Sequence, residues 1–307
     1  MTGTAASDVI VVKCGGNAAV DPAAVCADVA ALTRAGERIV LVHGGSADID
    51  RLTGRLGLPV RSMVSPDGVT ARHTDDATLE VVLLALAGAV KPRLVAALAA
   101  AGAPAVGLTG ADGGLLRARR KVAHRAVVDG RRVVVRDDHS GRIAEVGVGL
   151  LRTLLDAGLV PVVSPPALAE DGRFVNVDAD RVAAAIAVAL GAGTLVLLTG
   201  APGVLADPAA EDSVFDVCEL PESGRPDYAG GGMALKLVAA REALAGGVAC
   251  VLVADGRPAA PVRAALAGAG TLILPARAHT ASQPQPPGQQ PYPRAADPGA
   301  FVSETAR

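Results

Sequence analysis

Four short segments of this sequence set charged or hydrogen-bonding side chains beside glycine or at a helix start, where a chain can grip an anion. Lys13-Cys14-Gly15-Gly16-Asn17 closes an apolar run that begins at Val9. A strand ending this way leaves backbone N–H groups free to hold phosphate oxygens, and Lys13 adds a positive charge there. Val42-His43-Gly44-Gly45-Ser46 repeats the arrangement after the next apolar run. Taken singly, each glycine pair reads as a tight turn and His43 as a structural hydrogen-bonder. Two such junctions at successive strand ends share one edge of a parallel sheet, where ligands of that architecture bind, and this moves the reading towards a phosphate site. Neither junction has the P-loop or the dinucleotide-binding glycine pattern. Asn176-Val177-Asp178-Ala179-Asp180 opens a helix; Asn and Asp are favoured as N-caps, but a cap needs only one of them. Gly230-Gly231-Gly232 leads into a helix with Lys236 on its first turns, which alone reads as a solvated lysine.

What must position these segments is an alternation of strands and helices. Runs rich in Val, Ile and Leu at 9–13, 39–43, 105–108, 160–164, 195–199, 251–254 and 271–274 lack polar alternation, as strands buried on both faces do. Between them, 23–34, 75–101, 150–157, 179–190 and 233–245 are Ala/Leu-rich and helical in character. This predicts a three-layer α/β/α sandwich with a mainly parallel central sheet. Pro165-Pro166 and a polar turn divide the chain into an N-terminal lobe over 1–170 and a C-terminal lobe over 171–275. Asp129-Gly130, between two β-prone runs, predicts a basic β-hairpin over 116–136. The Pro/Gln-rich composition of 276–307 cannot bury enough apolar surface to order itself, so a disordered tail is expected there.

Composition excludes several function classes. Lys and Arg number 29 against 31 Asp and Glu, so no global field draws the chain to nucleic acid or a membrane. Aromatic residues are 2% of the chain, too few for base-stacking platforms, and the core must be built of Ala, Val and Leu. Cys14, Cys26, Cys218 and Cys250 form no CxxC pair and read as free thiols. The N-terminus lacks a signal-peptide pattern, and charges or Gly interrupt the apolar stretches before bilayer-spanning length. A cytoplasmic enzyme is expected, and no protein-held metal.

Six segments in order, KCGGN, HGGS, GLTGADGGL, NVDAD, LLTGAPGVL and GGMALK, resemble the amino-acid kinase family, in its acetylglutamate kinase branch. Within the branch the chain is most similar to kinases acting on aminoadipate or glutamate attached to an amino-group carrier protein. The resemblance implies that ATP, with Mg2+, phosphorylates the side-chain carboxylate of an N-blocked acidic amino acid to give an acyl phosphate. It implies that Lys13 and Lys236 neutralise the transferring phosphoryl group and that Asp180 orients both. Gly15, Gly16, Gly44 and Gly45 would supply N–H donors to the γ-phosphoryl group and the acceptor. Thr199, Gly200 and Gly203 would border the nucleotide, Gly200 standing where many relatives carry Asp or Asn. Arg72 and Asn176 would hold the acceptor. A carboxylate is already ionised at neutral pH, so no general base is required.

The basic segment reads by itself as a solvated hairpin. The resemblance implies instead a dock for a small acidic carrier protein, with Arg117, Arg119, Arg120, Lys121 and Arg125 as contacts. It also implies a homodimer, for which the helix over 75–101 is the candidate interface. Two other readings are a kinase for free N-acetylglutamate and a non-catalytic amino-acid-binding relative.

Overall fold

The computed structural model describes residues 7–16, 19–64, 70–121, 123–128, 131–222, 224 and 230–276, with the backbone alone at 7, 8, 124, 126, 128, 131 and 132. Asn17, the Asp129-Gly130 turn and the Pro/Gln-rich segment from 277 onwards lie outside the described residues. Residues as far as Ala276 form one compact unit.

The apolar runs form one eight-stranded sheet. From edge to edge its strands are Val217–Leu220, Thr271–Pro275, Cys250–Asp255, Ala192–Thr199, Ser7–Cys14, Arg38–His43, Val160–Ser164 and Ala105–Thr109. All neighbours are parallel except Cys250–Asp255 with Thr271–Pro275. Both faces are covered, which is why the strands carry so little polar alternation. Along the central strand Val9 and Val11 pack with the helices Val148–Asp156, Ala179–Leu190 and Gly231–Ala245, while Ile10, Val12 and Cys14 pack with Pro22–Arg34, Asp76–Ala100 and Pro261–Leu266. The molecule is therefore the three-layer α/β/α sandwich expected from the sequence. Its central strand joins the two halves of the chain: Ser7–Cys14 pairs with Arg38–His43 on one side and Ala192–Thr199 on the other.

Two findings differ from expectation. The helix Asp76–Ala100 spans 25 residues and contains an 18-residue stretch with a mean hydropathy of 1.9, long and apolar enough to cross a membrane by length and composition. Its Val81, Val82, Ala85, Leu86, Val90, Leu94 and Leu98 are instead buried against the sheet. The helix turns π-helical over Leu84–Val90, just before Pro92, which has no N–H to give to the preceding turn. The second difference is the hairpin. His124–Val128 and Arg131–Val135 do pair antiparallel, but Leu116–Arg120 pairs with Gly141–Val146 and Ala167–Ala169 in a separate four-stranded sheet. Leu116 and Ala118 are buried in the core, so this strand is anchored there and cannot extend the hairpin.

Candidate active site

The strand ends and glycine turns meet at one edge of the sheet around a cleft of about 1130 Å³. Lys13 is the penultimate residue of the central strand, Asp180 lies in the first turn of Ala179–Leu190, and Lys236 near the start of Gly231–Ala245. Their side chains converge. Lys13 Nζ and Lys236 Nζ each lie 2.9 Å from Asp180 Oδ1, and Lys236 Nζ also donates to Oδ2 at 3.1 Å. All three residues are buried, at 5–7% exposure. Asp178 is the N-cap, accepting from the Arg181 N–H at 3.0 Å, which leaves Asp180 free for the lysines.

The electrostatics follow from two cations and one anion sharing a dry site. Burial acts to raise the Asp180 pKa, but Lys13 and Lys236 outweigh it and hold the carboxyl below its usual range. Burial lowers the Lys236 pKa; Asp180 acts to raise it but does not offset burial and the Lys13 charge together. Burial also acts to lower Lys13, where Asp180 and Asp178 prevail and raise it. Asp178 is raised by burial and by Asp180. The lysine–aspartate cluster carries an excess positive charge that an incoming anion would complete. Helix Ala179–Leu190 is fixed to Gly231–Ala245 by Arg181, whose Nε donates to Glu242 Oε2 at 2.9 Å and whose Nη2 donates to Oε1.

Two glycine turns line the same cleft and touch each other. A Cβ on Gly16 would lie 2.5 Å from the Gly45 nitrogen, and one on Gly45 would lie 2.7 Å from Leu86 Cδ2. Ser46 Oγ and the Ala47 N–H both donate to Gly16 O, at 2.9 and 3.1 Å, and lock the turns together. At Gly15 a Cβ would lie 2.7 Å from Val20 Cγ2, whereas at Gly44 it would meet only Ala179 Cβ, at 3.5 Å. His43 is buried, its Nδ1 is 2.9 Å from Gly44 O, and burial pushes its pKa down to about 4. It is neutral, and it does not line the cleft.

Thr199, Gly200 and Gly203 also line the cleft. Thr199 O accepts from the Gly256 N–H at 2.8 Å, and a Cβ on Gly203 would lie 2.5 Å from Thr271 Oγ1. Arg72 and Asn176 line the cleft as well. Arg72 Nη2 is 2.7 Å from Asp50 Oδ1, which leaves other guanidinium donors for an anion. Asn176 Nδ2 donates to Thr74 Oγ1 at 3.1 Å.

The five basic residues expected at a dock are divided between two small sheets and the cleft. Lys121 lines the cleft; Arg117, Arg119 and Arg120 lie on Leu116–Arg120, and Arg125 lies on the other small sheet. Arg119 is exposed, its Nε 3.7 Å from Glu170, and the Arg120 Nε is buried with no hydrogen-bond partner among the described residues. Sequence reasoning gave no role to Ser140, Arg142, Arg181, Arg241 or Glu242, which also line the cleft. Ser140 and Arg142 lie in the stretch SGRIAEV, at the start of the strand Gly141–Val146 that pairs with Leu116–Arg120. Among the described residues no group of three or more His, Cys, Asp or Glu is placed to hold a metal ion.

A sequence profile described as the amino acid kinase family matches residues 8–255. A protein of Deinococcus radiodurans named LysW-aminoadipate kinase is 42% identical over 269 residues, which are 87% of this chain and 91% of that protein. A protein of Methanocella arvoryzae named acetylglutamate kinase is 41% identical over 67% of this chain and 68% of its own length. Among solved structures, N-acetylglutamate synthase from Neisseria gonorrhoeae, in complex with coenzyme A and N-acetyl-glutamate, superposes with a TM-score of 0.68 at 28% identity. That match covers 86% of this chain and 59% of the synthase chain.

Proposed function

The chain belongs to the amino acid kinase family, and we propose that it uses ATP to phosphorylate the side-chain carboxylate of 2-aminoadipate or glutamate held on a small acidic amino-group carrier protein. The observation that carries this reading is the convergence of Lys13 and Lys236 on Asp180 in the cleft that the touching Gly16 and Gly45 turns also line. A carboxylate attacking ATP brings two anions together. A new O–P bond forms to the acceptor while the bond to the ADP oxygen breaks, and charge spreads over the equatorial phosphoryl oxygens. Lys13 and Lys236 would offset that charge on one side and the glycine N–H groups on the other, in a site already organised before reaction. Asp180 keeps the ammonium groups charged and aimed. Gly15 and Gly44 extend the donor cradle, and Thr199, Gly200 and Gly203 flank the nucleotide. Arg72 and Asn176 would hold the acceptor.

Mg2+ would travel on the phosphates of the nucleotide, as it does where no dedicated protein cage exists, and would draw charge from the transferring group. The acceptor would lie in the lobe of residues 1–170 and ATP in that of 171–275. The chain would act as a homodimer, for which the helix Asp76–Ala100 offers Leu84 at the surface.

The relative named acetylglutamate kinase favours a second reading, in which the acceptor is free N-acetylglutamate. Trapping the acyl phosphate with hydroxylamine in the presence of ATP and Mg2+ separates the two. The carrier adduct should give hydroxamate at a kcat/KM at least tenfold above free N-acetylglutamate and free N-acetylaminoadipate. The reverse order would assign the free small molecule, and no hydroxamate from any acceptor would remove the kinase reading altogether.

A further inference from the structure

Thr74 is fully buried, and every polar atom it has is committed. Its N–H donates to Asp138 Oδ1 at 2.9 Å, and its carbonyl accepts from the His139 N–H at 2.7 Å. Its hydroxyl accepts from Asn176 Nδ2 at 3.1 Å and donates to Arg72 O at 3.4 Å. Asp138, itself 1% exposed, also accepts from Ser140 Oγ. Asn176 is tied by its backbone to the same knot, its N–H to His139 O at 2.8 Å and its carbonyl to the Gly141 N–H at 3.0 Å. One hydroxyl thus links the two residues read as holding the acceptor, Arg72 and Asn176.

The direction of these bonds has a chemical consequence. A side-chain amide has a donor end and an acceptor end, and its neighbours decide which end faces where. Thr74 takes the donor end of Asn176, and Oδ1 is left without a protein partner among the described residues. An N-blocked acidic amino acid offers carboxylates, which call for cations, and one amide N–H, which calls for an acceptor. We propose that Thr74 is a specificity-determining residue: it turns the Asn176 amide so that Oδ1 meets the N–H of the acceptor's blocked α-amine. This rests on the reading of Asn176 as an acceptor-holding residue.

The test is a pair of dissociation constants, for N-acetyl-2-aminoadipate and for O-acetyl-2-hydroxyadipate, in which an ester oxygen replaces the N–H. The wild-type chain should favour the amide by about tenfold or more, the value of one well-placed hydrogen bond. Thr74→Val, which keeps the shape and deletes the hydroxyl, should bring the ratio near one. Thr74→Ser should restore it, which a general loss of packing would not. An unchanged ratio in Thr74→Val overturns the proposal. Asn176→Ala keeps the two readings apart: if it alters neither affinity nor ratio, the placement of Asn176 at the acceptor has failed. If it weakens binding while Thr74→Val leaves the ratio intact, only the role of Thr74 has failed. If neither compound binds the wild-type chain, the acceptor class is wrong and this inference falls with it.

Discussion

Replacing Asp180 by Asn would leave the ammonium groups of Lys13 and Lys236 buried in one pocket without the carboxylate that both now contact. Lys236, whose pKa is already lowered by burial and by Lys13, would give up its proton first. The expected outcome for Asp180→Asn is a kcat at least about a hundredfold lower, because one of the two charges proposed to neutralise the phosphoryl group is lost or misdirected. Unfolding free energy at neutral pH should fall by about 3–5 kcal/mol, the usual cost of breaking a buried ion pair from one side. Hydroxamate trapping and urea melts measure the two effects; turnover within tenfold of wild type would mean that this cluster does not carry the chemistry. At this scale the sequence was informative where a residue belongs to a short motif with a chemical reason, as Lys13, Asp180 and Lys236 do. It was silent on Thr74, whose function depends on a partner 102 residues away and leaves no local pattern.

Secondary structure was legible wherever one physical pattern ruled a whole segment. The strands buried on both faces read as unbroken apolar runs, and Asp178 was recognisable within a group of candidate caps. The limits of Leu116–Arg120 were not legible, because its β propensity is the same whether it pairs with the next strand or with Gly141–Val146, and only the burial of Leu116 and Ala118 decides. The long helix also hides a charge: Lys91 is 6% exposed, its stem lies 2.8 Å from where a Gly107 Cβ would be, and burial pushes its pKa down to about 8. Between that value and the ordinary 10.5 the unfolded chain holds a proton that the folded chain lacks, so stability contributed by this group rises with pH across the window. Below about pH 8 its burden is complete. Lys91→Met should therefore stabilise the protein by roughly 1–3 kcal/mol at pH 7, a gain that shrinks towards pH 10. Urea melts of both proteins at several pH values check this; a difference that stays constant with pH would show that Lys91 keeps its proton on folding.

For the molecule as a whole, the sheet order could not be read from the sequence, since Ser7–Cys14 finds its neighbour at Ala192–Thr199 and no local signal marks that pairing. Charge distribution was readable, because it needs only composition along the chain. A formal net charge of −2 coexists with a basic stretch from Arg117 to Arg136, so attraction for an acidic partner must come from that region and not from the overall field. Arg117, Arg119 and Arg125 are exposed, and the Arg119–Glu170 contact, at 3.7 Å between exposed groups, contributes little to stability. Reversing the three to Glu should leave the melting temperature and the turnover of free acceptors nearly unchanged. It should lower kcat/KM for the carrier adduct by about tenfold or more at low salt, chiefly through slower encounter. Raising ionic strength should close the gap between variant and wild type, since the Debye length shrinks to about 3 Å at 1 M. An equal loss at every salt concentration would point to a direct contact in place of steering. No loss with the carrier adduct would mean that the basic strands face solvent and that the acceptor is recognised inside the cleft alone.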